Sequence, residues 1–443
     1  MDSTTVVSDP TRRRRRAPSA LLVVLAMATG ACGGQPDGGP GAAAEVAVRG
    51  SGGVNAEVHQ GAPHLVLISF DGFRHDYMDR YAAPNFQRVA AAGVRADRLI
   101  PVFPTKTFPT HYSVATGMYA ENHGIVGNTF WDPARGAEYE LSDRDVVEDG
   151  TWYRGEPIWV TAERQGMVSA AYFFVGTEAD VMGVRPTHWR PYDGRVSRNA
   201  RVDQALAWLA DDPASRPHVI TLYFSDVDDA GHTYGPDSPE TGAAVAEVDA
   251  ALGRLLDGIE ALPHGDQVYV VLTSDHGMMP APGARAEGLD LDVLPGVRMI
   301  TSGPYASLFV DEGGASRAPA LRDSIAAMLP HGAVYLRADV PERFHYSADP
   351  RIGDLVVIME PEWTVVRQDR LPVRDSYTHG WDNRTLGMGG IFLAMGPGIA
   401  GGQRIEAFES IHIYPLMAHV LGLTPNPEAD GSLQVLLPVL AGR

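Results

Sequence analysis

Four short apolar runs, rich in β-branched and aromatic residues, constrain the fold of this chain more than any other feature. They cover residues 64–70, 219–224, 268–273 and 390–395. Runs of this length and composition are typical of strands buried on both faces, as in parallel sheets. Between them, apolar residues recur at intervals of three and four, which predicts amphipathic helices over 201–209, 240–262 and 318–329. Strands that alternate with such helices predict an α/β fold with a mostly parallel central sheet.

Acidic and histidine side chains follow three of these runs. Asp71 comes directly after the first, Asp228 lies just beyond the second, and Asp275 and His276 come after the third. The carboxyl ends of parallel strands meet at one edge of a sheet, and ligands of open α/β sheets bind at that edge. These side chains are therefore expected to face a binding cleft.

The acidic and histidine motifs are weak one by one, but together they predict a metal site. Asp228 and His232 stand four residues apart, and His379 is followed by a glycine. Each motif also has an ordinary interpretation, as a solvated pair, a strand-end cap or an exposed histidine. Three aspartates and three histidines nevertheless fit two metal ions with open positions for substrate. Such ligands suit Zn²⁺, although Mn²⁺, iron or Co²⁺ accept the same set.

Thr107 is the candidate nucleophile. It precedes a predicted helix that ends near Gly117, and free backbone N–H groups at a helix start favour an anion such as a phosphoryl oxygen. A bound Zn²⁺ can lower the pKa of a threonine hydroxyl enough to make it a nucleophile. The alternative is that Thr107 is an ordinary helix cap.

The amino-terminal region resembles an export signal. A block of five arginines, 12–16, precedes an apolar stretch, 17–28, and a small-residue segment that ends at Cys32. This order is typical of a secretory signal, and the stretch is too short to span a bilayer comfortably. We predict a signal peptide over 1–31 of the bacterial lipoprotein type, with Cys32 as the lipid-modified residue. An ordinary signal peptide and a twin-arginine signal are the alternatives.

Composition narrows the class of protein. The formal net charge is −19, which argues against binding to nucleic-acid polymers but not against small anionic substrates at a dication. Cys32 is the one cysteine, so an internal disulfide and a cysteine-based zinc site are excluded.

Residues 32–60 are rich in Gly, Ala and Pro and predict a flexible tether. One catalytic domain would then cover 61–443, with an inserted subdomain within 280–375. No pattern indicates an oligomeric state.

Several motifs in order resemble one known family. They are Ser69-Phe70-Asp71-Gly72, Thr107-Phe108-Pro109-Thr110-His111-Tyr112, the segments 121–128, 176–180 and 228–236, Ser274-Asp275-His276-Gly277-Met278, and His379-Gly380-Trp381-Asp382-Asn383. Their order and spacing resemble the nucleotide pyrophosphatase/phosphodiesterases of the alkaline phosphatase superfamily, in a compact bacterial form. Thr110 departs from the family, where many members carry asparagine. The resemblance implies an alkaline-phosphatase-like three-layer sandwich.

The resemblance also implies roles for single residues at two zinc sites. Asp228, His232 and His379 would hold one zinc. Asp71, Asp275 and His276 would hold the other, with Thr107 as its fourth ligand and as the nucleophile. Asn128 would donate a hydrogen bond to a phosphoryl oxygen, helped by the backbone N–H of Phe108. Phe108 and Tyr192 would form the two walls of a nucleobase slot, unless both are core residues.

The function implied is zinc-dependent cleavage of phosphodiester or pyrophosphate bonds in an exported, periplasmic or cell-surface enzyme. The aromatic pair favours a nucleotide, cleaved to a nucleoside monophosphate through a phosphothreonine intermediate. Lysophospholipid or choline phosphodiesters, phosphonates and phosphomonoesters are alternative substrates for the same residues. A non-catalytic, exported metal-binding protein is the alternative of a different class, and the intact ligand set argues against it.

Overall fold

A seven-stranded sheet built around the strand His64–Phe70 forms the centre of the computed structural model, which describes residues 51–301, 303–311 and 314–440. The predicted signal peptide and Cys32 lie outside these residues. In chain order the strands are β1 His64–Phe70, β2 Val94–Ala96, β3 Leu99–Ile100, β4 Thr129–Asp132, β5 Ala137–Glu140, β6 Ser169–Tyr172, β7 Val219–Phe224, β8 Val268–Thr273, β9 Met279–Ala281, β10 Ala286–Leu289, β11 Val297–Met299, β12 Tyr305–Val310, β13 Gly332–Leu336, β14 Leu355–Met359, β15 Thr364–Arg367, β16 Ser376–Thr378, β17 Phe392–Met395, β18 Gln403–Ile405 and β19 Phe408–Glu409.

The α-helices of the described residues are α1 Tyr77–Arg80, α2 Pro84–Ala92, α3 Thr107–Thr116, α4 Ala120–His123, α5 Arg144–Val147, α6 Ile158–Arg164, α7 Arg198–Leu209, α8 Asp226–Tyr234, α9 Pro239–Glu260, α10 Gly314–Met328 and α11 Ile413–Leu421. The three predicted helices correspond to α7, α9 and α10. The longest, α9, begins with Ser238 as its cap and Pro239 in its first turn, both favoured at helix starts. None of the described helices is both long enough and apolar enough to cross a bilayer.

The central sheet has the order β18-β2-β17-β8-β1-β7-β6. The four strands β8, β1, β7 and β6 are parallel to one another. Alternate residues of β1 face opposite sides, with Leu65 and Leu67 in one apolar core and Val66 and Ile68 in the other. Helices α3, α6 and α11 supply residues to the first core, and α2, α7 and α9 to the second. The result is the expected three-layer α/β sandwich.

Two sequence-based expectations need correction. The run 390–395 forms β17 only from Phe392, and β17 is antiparallel to both β8 and β2 because apolar composition does not encode strand direction. The predicted tether is wrong in its last residues. Asn55 is buried, and its amide bonds the carbonyls of Pro213 and Arg216 and the N–H of Val168, so this segment is packed onto the domain.

A second, smaller sheet lies within the range predicted for the insertion. Its order is β11-β12-β14-β13, all neighbours are antiparallel, and it shares an apolar core with α10. Strands β9 and β16 form a two-stranded antiparallel ribbon, with Met279 opposite Thr378 and Ala281 opposite Ser376. The inserted segment is therefore connected to the main sheet through one ribbon, and His379 directly follows the second strand of this ribbon.

Candidate active site

Three adjacent strands, β8, β1 and β7, bring the predicted metal ligands to one edge of the central sheet. Asp71 follows β1, Asp228 lies in the first turn of α8 after β7, and Asp275 follows β8. Gly72 allows the first two loops to meet. Its φ is +67°, and a Cβ added there would lie 2.8 Å from the Cα of Asp228. Only glycine combines that backbone conformation with so close an approach.

The first ligand group consists of Asp228, His232 and His379, whose ligand atoms lie within 4.8 Å of one another. Asp228 and His232 are one turn apart on α8, with Asp228 Oδ2 3.5 Å from His232 Nε2. His379 is brought to them by the β9–β16 ribbon. The structure thus groups the three residues as the sequence predicted for one metal.

The second ligand group centres on His276. Its Nε2 lies 2.8 Å from Asp275 Oδ2 and 3.5 Å from Asp71 Oδ1. Thr107 is the first residue of α3, and its Oγ1 lies 3.4 Å from the same imidazole nitrogen. The predicted nucleophile and the predicted second metal set therefore share one small region.

The histidines in both groups are oriented by the backbone. Nδ1 of His232 bonds the carbonyl of Tyr377, Nδ1 of His379 that of Thr105, and Nδ1 of His276 that of Gly277. Because a carbonyl only accepts, each Nδ1 carries a proton, and in the neutral imidazole Nε2 then keeps a lone pair. Such outer contacts are typical of metal-ligating histidines.

Two of the carboxylates, Asp71 and Asp275, are also held in place by hydrogen bonds. Tyr223 donates its hydroxyl to Asp71 Oδ2 at 2.5 Å, and the N–H of Gly72 donates to Asp275 Oδ1 at 3.1 Å. Three other oxygens, Asp71 Oδ1, Asp228 Oδ1 and Asp275 Oδ2, are buried without a hydrogen-bond donor. Burial, followed by the charges of Asp275 and Asp228, raises the pKa of Asp71 well above its ordinary value. Buried, unpaired carboxylate oxygens beside imidazole lone pairs fit divalent cations.

His111 is close enough to Asp71 and Asp275 to resemble a third ligand group. Its two ring nitrogens already have partners, however. Nδ1 is 2.9 Å from the carbonyl of Thr107, and Nε2 is 2.7 Å from the hydroxyl of Ser69. His111 therefore holds the start of α3 against β1 and has no nitrogen left for a metal.

Asn128 and Phe108 are hydrogen-bonded to each other. The backbone N–H of Phe108, which the resemblance assigns to the phosphoryl oxygen together with Asn128, donates to Asn128 Oδ1 at 2.9 Å. The amide oxygen of Asn128 is thereby fixed, so its NH₂ group is the donor left for a ligand.

A cavity of about 340 Å³ opens beside Thr107 and is lined by both predicted aromatic residues, Phe108 and Tyr192. Tyr192 is 43% exposed, which separates it from a core residue. Glu178 accepts the backbone N–H of Tyr192 and pairs with Arg144 on the other side of the cavity. Apolar walls with a few polar groups are typical of sites for small molecules.

Two further residues of the site had no recognisable signal in the sequence. Tyr223 lies inside the apolar strand β7, and only its partnership with Asp71 shows a role. Lys106 has its amine packed against Gly380, where an added Cβ would be 2.7 Å from Cε and 3.2 Å from Nζ. Burial lowers the pKa of Lys106 to about 8, against the opposing effect of Asp228. Among the described residues, none forms a hydrogen bond or ion pair with this amine.

The sandwich and the Asp/His groups at the sheet edge define a metal-dependent phosphoester hydrolase with an alkaline-phosphatase-like fold. The comparisons with known proteins make the class narrower. Residues 65–382 match the model of the family described as type I phosphodiesterase/nucleotide pyrophosphatase. The chain belongs to this family, and it is a phosphodiesterase.

Similar proteins come from animals and from a yeast, Schizosaccharomyces pombe. The human ectonucleotide pyrophosphatase/phosphodiesterase family member 5 is 34% identical over 369 residues, which cover 82% of this chain and 75% of that protein. A venom phosphodiesterase from Crotalus durissus collilineatus is 34% identical, over 84% of this chain and 46% of its own length. The structure of murine member 5, in an inactive variant with AMP, matches at 32% identity and a TM-score of 0.79, over 86% of this chain and 100% of that chain. This chain therefore spans about half the length of the venom enzyme.

Proposed function

We propose that this enzyme hydrolyses nucleotide phosphodiester and pyrophosphate bonds with two zinc ions and Thr107 as the nucleophile. The observation that carries the proposal is the position of Thr107. Its hydroxyl lies 3.4 Å from His276 Nε2, at the start of a helix and beside an aromatic-walled cavity. The murine relative in complex with AMP supports a nucleoside monophosphate as the product.

Asp228, His232 and His379 would hold one ion, and Asp71, Asp275, His276 and Thr107 the other. The bound ions would lower the pKa of the Thr107 hydroxyl and offset negative charge on the phosphoryl and departing oxygens. Thr107 Oγ1 forms a bond to phosphorus as the bond to the leaving oxygen breaks, which gives a phosphothreonine ester. Water then displaces Thr107 in a second step.

Residues around Thr107 bind and orient the substrate. The NH₂ group of Asn128 donates to a non-bridging phosphoryl oxygen, because Phe108 has already fixed its carbonyl oxygen. The backbone N–H of Thr107 at the start of α3, together with the helix dipole, favours the same anion. Phe108 and Tyr192 enclose the nucleobase from two sides, since any base presents a face that stacks on an aromatic ring.

The stereochemistry at phosphorus tests the covalent route. A thymidine phosphodiester with a chiral phosphorothioate should react with net retention, because two in-line displacements invert phosphorus twice. Net inversion would mean direct attack by water and would overturn the role of Thr107. Thr107→Ala should lose turnover while it still binds zinc, and Thr107→Ser should keep a measurable rate because it retains a hydroxyl.

Substrate class is tested with three nitrophenyl compounds: the ester of thymidine monophosphate, the bis-nitrophenyl diester and the monoester. We expect the highest kcat/KM for the nucleotide ester. Equal rates on both diesters would refute the base slot and favour a lipid or choline phosphodiester. Preference for the monoester would move the enzyme to the phosphatases, and loss of all activity with zinc, Mn²⁺ and Co²⁺ would favour a metal-binding protein.

We further propose that the enzyme acts outside the cytoplasm, attached to a membrane through a lipid on Cys32. Its relatives include proteins named as ectoenzymes and venom enzymes. Mass spectrometry of the mature amino terminus would show a lipid-modified Cys32. An amino terminus at any other residue would contradict the anchor.

A further inference from the structure

Two polar side chains that line the active-site cavity have no part in the proposed mechanism. They are Ser225, which directly precedes α8, and Asp229, in the first turn of that helix. The other polar residues of the lining belong to the ligand groups, contact them or bind the phosphoryl oxygen, apart from Tyr192 and the paired Arg144 and Glu178. Ser225 and Asp229 therefore remain for another part of the substrate.

A chain of hydrogen bonds joins the aromatic wall of the cavity to the metal ligands through these two residues. The hydroxyl of Tyr192 donates to Ser225 Oγ at 3.4 Å, and Ser225 Oγ donates to Asp229 Oδ2 at 2.9 Å. Asp229 directly follows Asp228, which belongs to the first ligand group. Along this chain of contacts, Ser225 and Asp229 come between the wall proposed for the nucleobase and a ligand proposed for the metal.

The sugar is the part of a nucleotide that connects the base to the phosphate. With the base beside Tyr192 and phosphorus beside Thr107, the sugar passes the part of the cavity that Ser225 and Asp229 line. Each sugar hydroxyl can donate a hydrogen bond, and an ionised carboxylate can only accept. Ser225 contacts Asp229 Oδ2, whereas no hydrogen-bond donor among the described residues contacts Oδ1. Asp229 thus has an acceptor oxygen available where sugar hydroxyls would lie.

A carboxylate in this cavity calls for an explanation because the substrate is an anion. Asp226, Asp228 and Asp229 all lie in the first turn of α8, where negative charge stabilises a helix. That effect does not require a side chain in the cavity, since Asp226 lies outside the lining and pairs with Arg198. Asp229 does line the cavity, where it repels phosphate and is favourable only with donors to accept from.

We propose that Asp229 is a specificity-determining residue that accepts a hydrogen bond from the 2′-hydroxyl of the substrate's ribose. Ser225 holds the carboxylate in place through its other oxygen. The enzyme would then favour ribonucleotides over 2′-deoxyribonucleotides. This inference rests on the proposed function, because it takes the positions of the base and of phosphorus from it. It adds the sugar to the description of the substrate.

The test uses the nitrophenyl esters of uridine monophosphate and 2′-deoxyuridine monophosphate, which differ only in the 2′-hydroxyl. We expect kcat/KM to be higher for the ribose ester by about 5- to 20-fold, as for one exposed hydrogen bond to a charged group. Asp229→Ala should bring this ratio close to one, and Asp229→Asn, which keeps an acceptor oxygen, should retain part of it. A ratio close to one in the parent protein would overturn the proposal.

Asp226 provides a matched control. Asp226→Ala removes a negative charge from the same turn of α8 but from outside the cavity lining, so the ratio of the two activities should stay as in the parent protein. Zinc content is measured in every variant because Asp229 follows a proposed zinc ligand. If Asp229→Ala lost zinc and lowered both activities equally, its role would be structural and the proposal would be wrong.

Binding gives a readout that does not depend on turnover. In zinc-loaded Thr107→Ala protein, calorimetry should show tighter binding of uridine monophosphate than of 2′-deoxyuridine monophosphate. The difference should disappear when Asp229→Ala is added, and equal binding of the two nucleotides without that change would contradict the proposal. If the parent protein cleaves neither ester, the proposed function fails, and the calorimetry still decides whether Asp229 recognises ribose.

Discussion

Replacing Gly72 by alanine should separate the two ligand groups. At φ +67° an alanine costs about 1–2 kcal/mol relative to glycine because of its Cβ. The new Cβ would also lie 2.8 Å from Asp228 Cα and 2.9 Å from Asp228 Cβ. Carbon atoms in contact prefer about 3.5–4.0 Å, so the Asp71 and Asp228 loops would have to move apart by roughly 0.7 Å or more.

That movement affects the chemistry because the proposed function assigns Asp71 and Asp228 to different metal ions. A misplacement of about 1 Å in a reacting assembly can lower the rate by about 100-fold. We therefore expect Gly72→Ala to lose about 30- to 100-fold in kcat/KM on the nitrophenyl ester of thymidine monophosphate. Zinc affinity, measured by competition with a chelator, should fall as well.

Gly136 provides a matched control. Its φ is +60°, and nothing lies within 4 Å of the position of an added Cβ. Gly136→Ala should therefore show the cost of the backbone conformation alone, as a small fall in melting temperature with normal activity. If Gly72→Ala retained activity within threefold of Gly136→Ala, the close approach of the two loops would not matter for catalysis, and the argument would be refuted.

Three further predictions concern single side chains. Asn128→Ala should lower kcat/KM by about 100- to 1000-fold with little change in zinc content, as for the loss of one oxyanion donor; an unchanged rate would remove Asn128 from the mechanism. Tyr223→Phe leaves Asp71 Oδ2 without its donor and should weaken zinc binding by about 10- to 100-fold in a chelator titration; normal affinity would contradict it. Burial lowers the pKa of His64 to about 3, with His218 contributing. The pKa of His64 is higher in the unfolded chain, so protonation of this side chain favours unfolding. The native state therefore has its full stability above pH 6.5 and loses stability as the pH falls towards 3. His64 should account for about 1.4 kcal/mol of the fall in the free energy of unfolding between pH 7.5 and 5.5, and His64→Asn should remove that part of the pH dependence in urea titrations.

The sequence was sufficient for the parts of the fold that depend on periodicity. Strands β1, β7 and β8 and helix α9 follow from apolar runs and from repeats of three and four. Asp71 and Asp275 could be placed at one sheet edge because parallel strands end together. The direction of β17 could not be predicted, since an apolar run reads the same in either direction.

Contacts between distant segments explain what the sequence missed. Tyr223 looks like any strand residue until its hydroxyl is seen on Asp71, and Lys106 looks like any polar residue until Gly380 is seen beneath it. Asn55 lies in a segment with the composition of a linker, yet its amide bonds three residues from two other segments. Each of these roles depends on a partner more than 100 residues away along the chain.

The ribbon of β9 and β16 has a consequence for how such an enzyme diversifies. Residues 282–375 connect the end of β9 to the start of β16. Because these two strands are paired, the ribbon sets the distance between the two ends of the segment, whatever the segment's own fold. Closing a longer excursion costs little, about 0.6 kcal/mol for each doubling of length. Segments of different size can then be inherited or grafted at this junction while His379 keeps its place. Selection can thus alter what surrounds the substrate without rebuilding the chemistry.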